Sequence, residues 1–211
     1  MTVPPRATSR AEARAQTREV VLRAAEELFL SEGYEASTVA KIAERAGRTQ
    51  GAIYSNFAGK DDLGLAVLQR RFLSEATRLA ELVDAAGPLA EKAEAVGRWW
   101  HEVSGQQDLF VLVVEYGLAT RRGGKDPSRF AVTSYVELVQ EFLRTHVSPT
   151  FEAGLVDDDV DPATREARVS DAIITVVATA TGLAVCQLFG AIDQERSSAI
   201  LAETVRAQAG M

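Results

Sequence analysis

A single cysteine, Cys186, among 211 residues leaves no partner for an internal disulfide, which fits a reducing compartment. It lies in the apolar run GLAVCQLF, where the expected role is a buried small hydrophobe. Histidine is almost as scarce: His101 and His146 are the only two, so clustered Cys/His metal ligands are lacking and no metal or other cofactor is expected. There is no glycine-rich phosphate loop and no recognisable nucleophile with its base, and both absences argue against an enzyme. No apolar run approaches the roughly 18 residues a bilayer demands, and the opening MTVPPRATSR lacks the apolar centre of a signal peptide. A cytoplasmic location follows as an expectation. No alternating strand pattern of any length occurs, which leaves an all-α reading.

What is present begins with charge. The net charge of -7 suits a nucleic-acid binder only once it is divided along the chain. Residues 1–60 hold nine Lys/Arg against seven Asp/Glu, a balance of +2; the remainder holds 14 against 23, a balance of -9. An acidic rear part repels nucleic acid from every face but the intended one. With 46% hydrophobic residues the chain has ample material for a core.

The stretch TVAKIAERAGRTQGAIYSNFAGK, Thr38 to Lys60, divides into two short helices and a tight turn. Val39, Ile42, Ala43 and Ala46 recur at helical spacing behind Thr38, whose hydroxyl suits an N-cap. Gly47 ends that helix, since glycine takes the left-handed conformation at little cost. Thr49 caps the second helix, and Ile53 and Phe57 form its buried side. The other side presents Gln50, Gly51, Tyr54, Ser55 and Asn56 without a carboxylate. Gln and Asn read base edges bidentately, hydroxyls bond phosphate oxygens, and glycine allows backbone to approach backbone. The spacing predicts a helix-turn-helix with its second helix in the major groove.

The run GYEASTVAKIAERAGRTQGAIYSNFAGKDDL, Gly33 to Leu63, closely resembles the DNA-binding segment of TetR-family transcriptional regulators. The family pattern is met at Gly33-Tyr34, Thr38, Ile42-Ala43, Ala46-Gly47, Gly51, Ile53-Tyr54, Phe57 and Lys60. Arg48 and Gly59 depart from it, standing where a small apolar residue and a capping Ser are usual. Arg48 suits either a phosphate contact or a solvated turn. By resemblance, Gln50 reaches base edges with Ser55 and Asn56 beside it, Tyr54 and Lys60 hold phosphates, and Thr38 and Thr49 assist. The resemblance also implies a repressor that binds a palindromic operator as a homodimer and is released by a small-molecule effector. Other readings are an all-α enzyme or binding protein with an incidental helix-turn-helix, a regulator without an effector, and an activator.

Along the chain, residues 1–8 read as a disordered arm, 9–60 as the DNA-binding domain, and 61–211 as a helical effector-binding and dimerisation domain. The first helix, about Ser9 to Ser31, carries Val21, Ala25, Leu28 and Phe29 as an apolar stripe. Its row Arg10, Arg14 and Arg18 is either a solvated face or a phosphate-gripping edge. Proline and glycine punctuate later helices at about Lys60 to Ala85, Leu89 to Gly105, Asp108 to Arg122, Ser128 to Val147, Asp161 to Phe189 and Asp193 to Ala209. Asp161-Pro162 is a strong helix start. The helix it opens is apolar on most sides and so needs cover on two faces, one from the core and one from a second subunit. Effector contacts are sought among Trp99, Trp100, His101, Phe110, Glu115, Tyr116 and Tyr135, although aromatics at this spacing also serve as plain core. Glu115 has two readings, a partner for a cationic ligand or one half of a structural salt bridge with Arg121 or Arg122. The acidic run Asp157, Asp158, Asp159 and Asp161 lacks the glycine and distal Glu of an EF-hand and reads as a solvated loop.

Overall fold

The computed structural model describes residues 9–123 and 161–209. The arm at 1–8, the helix expected at 128–147, Tyr135 and Asp157 to Asp159 lie outside them. Eight helices and no strand are found among the described residues: α1 (Arg10–Glu32), α2 (Val39–Arg45), α3 (Gln50–Tyr54), α4 (Lys60–Ala85), α5 (Leu89–Ser104), α6 (Gln107–Arg122), α7 (Pro162–Leu188) and α8 (Gln194–Gln208). They group into two compact units, one of residues 9–70 and 111–123, the other of 71–110 and 161–209. Helices α4 and α6 each contribute to both.

In the first unit, α1 opens with a capping box: the Ser9 backbone N–H donates to the Glu12 carboxylate at 2.7 Å, and Glu12 N–H to Ser9 Oγ at 3.2 Å. Val21, Ala25, Leu28 and Phe29 repeat every three or four residues and are buried. Helices α2 and α3, of seven and five residues, are too short to persist alone. Their apolar residues Ile42, Ile53 and Phe57 are buried against α1 and the start of α4 in one core. Thr38 and Thr49 cap them through Lys41 N and Ala52 N, each at 3.2 Å. Gly47 turns the chain between them at φ 60°. Leu112 and Tyr116 of α6 complete this core, although the sequence grouped everything after residue 60 with the effector part.

In the second unit, α5 presents Ala93, Val96, Trp100 and Val103 inward. At Gly97 the approach of α8 is close, since a Cβ there would meet Ala202 Cβ at 3.1 Å and Ser198 O at 3.3 Å. Leu79 and Val83 of α4 and Val169, Ala172, Ile173, Leu183 and Ala184 of α7 join the core. A buried polar chain crosses it: Trp100 Nε1 donates to Ser197 Oγ (2.8 Å), Ser197 Oγ to Gln187 Oε1 (3.2 Å), and Gln187 Nε2 to Ser104 Oγ (3.3 Å). Each side chain of this polar chain thereby finds a partner.

Two sequence expectations fail on α7. Cys186 is exposed, not buried, because it lies one residue before the inward-facing Gln187 and turns away from the core. The helix is also long and apolar enough, by length and composition, to cross a membrane, because from Ala172 to Leu188 its polar side chains are threonines and a glutamine, and its charges are confined to Arg165, Glu166, Arg168 and Asp171 near its start. In the single chain its outer face exposes Ile174 (52%), Val185 (42%) and Phe189 (80%), with Ala178 and Gly182 between them.

Candidate nucleic-acid interface

The outward surface of α3 follows from its burial pattern. Ile53 and Phe57 face the core, so Gln50, Gly51, Tyr54 and Ser55 face solvent. Tyr54 is 56% exposed, so its ring is not part of the core. Thr38, Arg48 and Thr49 are exposed on the same helix-turn-helix, and the Arg48 guanidinium donates to Gly47 O at 3.1 Å. Lys60 is half-buried: its ammonium stands 4.3 Å over the Tyr34 ring and donates to Glu35 O at 3.2 Å. Positive charge is thus fixed at the start of α4, beside the turn.

Asn56 is placed differently from expectation. Both N–H groups of its amide are engaged, one with Ala52 O (2.8 Å) and one with Ser55 Oγ (3.2 Å), while Oδ1 accepts from Arg14 Nε at 3.3 Å. An amide so occupied has no bidentate pair left for an adenine edge. The arginine row of α1 explains the arrangement. Arg14 also donates to Ser55 O (3.0 Å), and Arg18 donates to Asn56 O (3.2 Å) while lying 4.3 Å over the Phe57 ring. Two cations therefore sit on the carbonyl end of α3, where the helix dipole favours them. Neither a purely solvated face nor a free phosphate grip describes Arg14 and Arg18. Their four-residue spacing was visible in the sequence, but their target, about 40 residues further on, was not.

Two residues expected at the effector pocket belong instead to this first unit. Glu115 accepts the Tyr34 backbone N–H at 2.6 Å rather than pairing with Arg121 or Arg122. Tyr116 is 1% exposed, its ring edge-on to Tyr34 with centroids 5.4 Å apart, and its hydroxyl donates to Asp61 O at 3.2 Å. Sequence spacing placed them on α6 but gave no sign that this stretch of α6 packs beside the helix-turn-helix.

The remaining effector candidates among the described residues, Trp99, Trp100, His101 and Phe110, belong to the second unit. Trp99, Trp100 and Phe110 form an aromatic row, with centroids 6.1 Å and then 5.8 Å apart. Trp100 is core, tied to Ser197. The Trp99 indole N–H is buried without a hydrogen-bond partner among the described residues, as is Nε of Arg165 on α7. His101 is exposed with Nδ1 3.4 Å from Ser198 Oγ, and its carbonyl accepts from Gln194. Among the described residues no group of three Asp, Glu, His or Cys could hold a metal ion.

Comparison with known proteins agrees with this geometry. Residues 21–67 match the model of the bacterial regulatory proteins, tetR family. The HTH-type transcriptional repressor BepR of Brucella suis is 47% identical over 62 residues, which are 29% of this chain and 30% of that protein, so the chain spans under a third of that relative's length. The HTH-type transcriptional repressor AcnR of Corynebacterium efficiens is 35% identical over 145 residues, 68% of this chain and 71% of the relative. The fold is shared with FadR of Bacillus subtilis, solved in complex with stearoyl-CoA, at a TM-score of 0.68 and 19% identity over 92% of this chain and 98% of that one. With the helix-turn-helix in place and similarity sustained across more than two thirds of a curated repressor, the chain belongs to the TetR family of transcriptional regulators.

Proposed function

We propose that the protein is a cytoplasmic, non-enzymatic repressor that binds a palindromic operator as a homodimer and releases it when a small molecule binds the second unit. The observation that carries this reading is the outward surface of α3, where Gln50, Gly51, Tyr54 and Ser55 stand clear of the core and free of carboxylates. Gln50 reads base edges with Ser55 beside it, Tyr54 and Lys60 hold phosphates, and Thr38, Arg48 and Thr49 contribute hydroxyls, helix-terminal amides and charge. Asn56 acts by holding the end of α3.

A single short helix makes few contacts, whereas two on a two-fold dimer reach successive half-sites about 34–36 Å apart. The outer face of α7 supports the dimer, since Ile174, Val185 and Phe189 make an apolar stripe with helical spacing that a second copy would cover. The Trp99 N–H supports an effector, because a buried donor with no partner among the described residues costs stability unless a ligand oxygen satisfies it. The ligand acts through its different affinities for two dimer geometries, one matching the half-site spacing and one not.

Selection from a random duplex pool by the purified protein, repeated at raised salt, tests the reading. A palindrome whose affinity falls steeply with salt is expected. Recovery of only weak, sequence-independent binding would overturn it. Titration of the selected complex with acyl-CoAs and with cationic drugs, followed through tryptophan fluorescence, then tests for the effector.

A further inference from the structure

We propose that Glu115 is a positioning residue for DNA binding, whose carboxylate sets the turn that aims α2 and α3. The inference rests on the reading of α3 as the DNA-reading helix. Helix α1 stops at Glu32, and the chain reverses through Gly33 at φ 87°. Immediately after it the Tyr34 N–H, which has left the α1 ladder, donates to Glu115 Oε2 at 2.6 Å. A Cβ on Gly33 would meet both Glu115 carboxylate oxygens at 3.3 Å, so backbone and carboxylate are already in close contact. Ser37 Oγ donates to Gly33 O at 2.7 Å and Thr38 then caps α2. The direction in which α2 leaves α1 is therefore set by consecutive bonds, and one of them comes from a residue 81 positions away.

The same stretch of α6 also holds the far side of the motif. Tyr116 donates to Asp61 O in the first turn of α4, and Tyr34 OH donates to Asp61 Oδ1 at 2.7 Å. Gly64 makes room for both rings, since a Cβ there would lie 2.8 Å from Tyr34 and 2.9 Å from Tyr116. Glu115 and Tyr116 thus touch the turn before α2 and the helix after α3, the two ends of the reading element. A carboxylate accepting a backbone N–H makes one of the stronger neutral-to-charged bonds, and it is directional. Its loss frees the turn without emptying the core.

The test uses the full-length protein and the duplex selected by the wild type. Glu115→Ala is expected to weaken binding to that palindrome about tenfold or more while leaving binding to a scrambled duplex unchanged. Glu115→Gln, which keeps an acceptor, is expected to stay within about threefold of wild type. A simple loss of folded protein lowers both affinities alike and overturns the proposal, as does a Glu115→Ala protein with wild-type preference. Amide hydrogen exchange of the unmutated protein supplies the second measurement, independent of any folding defect in a variant. The Tyr34 amide is expected to exchange far more slowly than those of Glu35 and Ala36, and equal rates overturn the bond. If the wild type selects no duplex, the regulator reading fails, and slow Tyr34 exchange still establishes the bond.

Discussion

Gln50 and Tyr54 stand on one exposed surface, and the proposed function assigns them to different parts of DNA. Replacing Gln50 by Ala is expected to relax preference at one base position by about 1–3 kcal/mol. Tyr54→Phe is expected to weaken all duplexes alike. Binding to operators varied one base at a time separates the two, and an unchanged ranking for Gln50→Ala would exclude base readout. Gly64 has a different role, in the space it leaves open. Ala is the better helix former by about 1 kcal/mol, but its Cβ would lie under 3 Å from two buried aromatic rings. Overpacking wins, and Gly64→Ala is expected to destabilise the protein by about 1–3 kcal/mol in denaturant unfolding. The caps Thr38, Thr49 and Asp161 were legible in the sequence because capping is decided within four residues. Whether the Asn56 amide is free was not, since the answer depends on Arg14, 42 positions earlier.

At the scale of elements, the positions of the described helices were legible from punctuation and periodicity, and α1 to α4 from the motif itself. The membership of α6 was not. Its apolar residues announce a buried helix, but periodicity does not say which core buries them. The two tyrosines that α6 and the α1–α2 turn bring together give this packing a signature in pH. Burial, then the hydrogen bond to Asp61, raises the Tyr34 phenol far above its usual range. Burial, then the charges of Asp61 and Asp62, pushes Tyr116 up to about 12. An unfolded tyrosine ionises near pH 10, roughly the model-peptide value. Above that pH the unfolded chain releases protons that the folded chain retains, so stability falls as pH rises. Both contributions are complete below about pH 10; that of Tyr116 is lost as pH climbs through about 12, and that of Tyr34 goes on falling at higher pH. Denaturant unfolding across that window, with tyrosinate absorbance as a second probe, is expected to show this loss, reduced in a Tyr34→Phe, Tyr116→Phe protein.

At the scale of the whole molecule, the division of charge and the outer face of α7 have joint consequences. Ile174→Glu places a charge in the middle of an apolar stripe. It is expected to convert the proposed dimer into monomers by light scattering and to lower operator affinity by at least a hundredfold, since one reading head loses the benefit of the second. A dimer unaffected by this change would place the interface elsewhere. The exposed Cys186 lies on the same helix, four residues beyond Gly182 and three before Phe189. As the sole thiol in the chain it offers one attachment point for a spin label or dye without further mutagenesis. A maleimide would react faster as the protein is diluted if a second copy covers this face. Pairs of labels across a two-fold axis would report one distance, whose change on adding DNA or a candidate effector measures the movement between protomers.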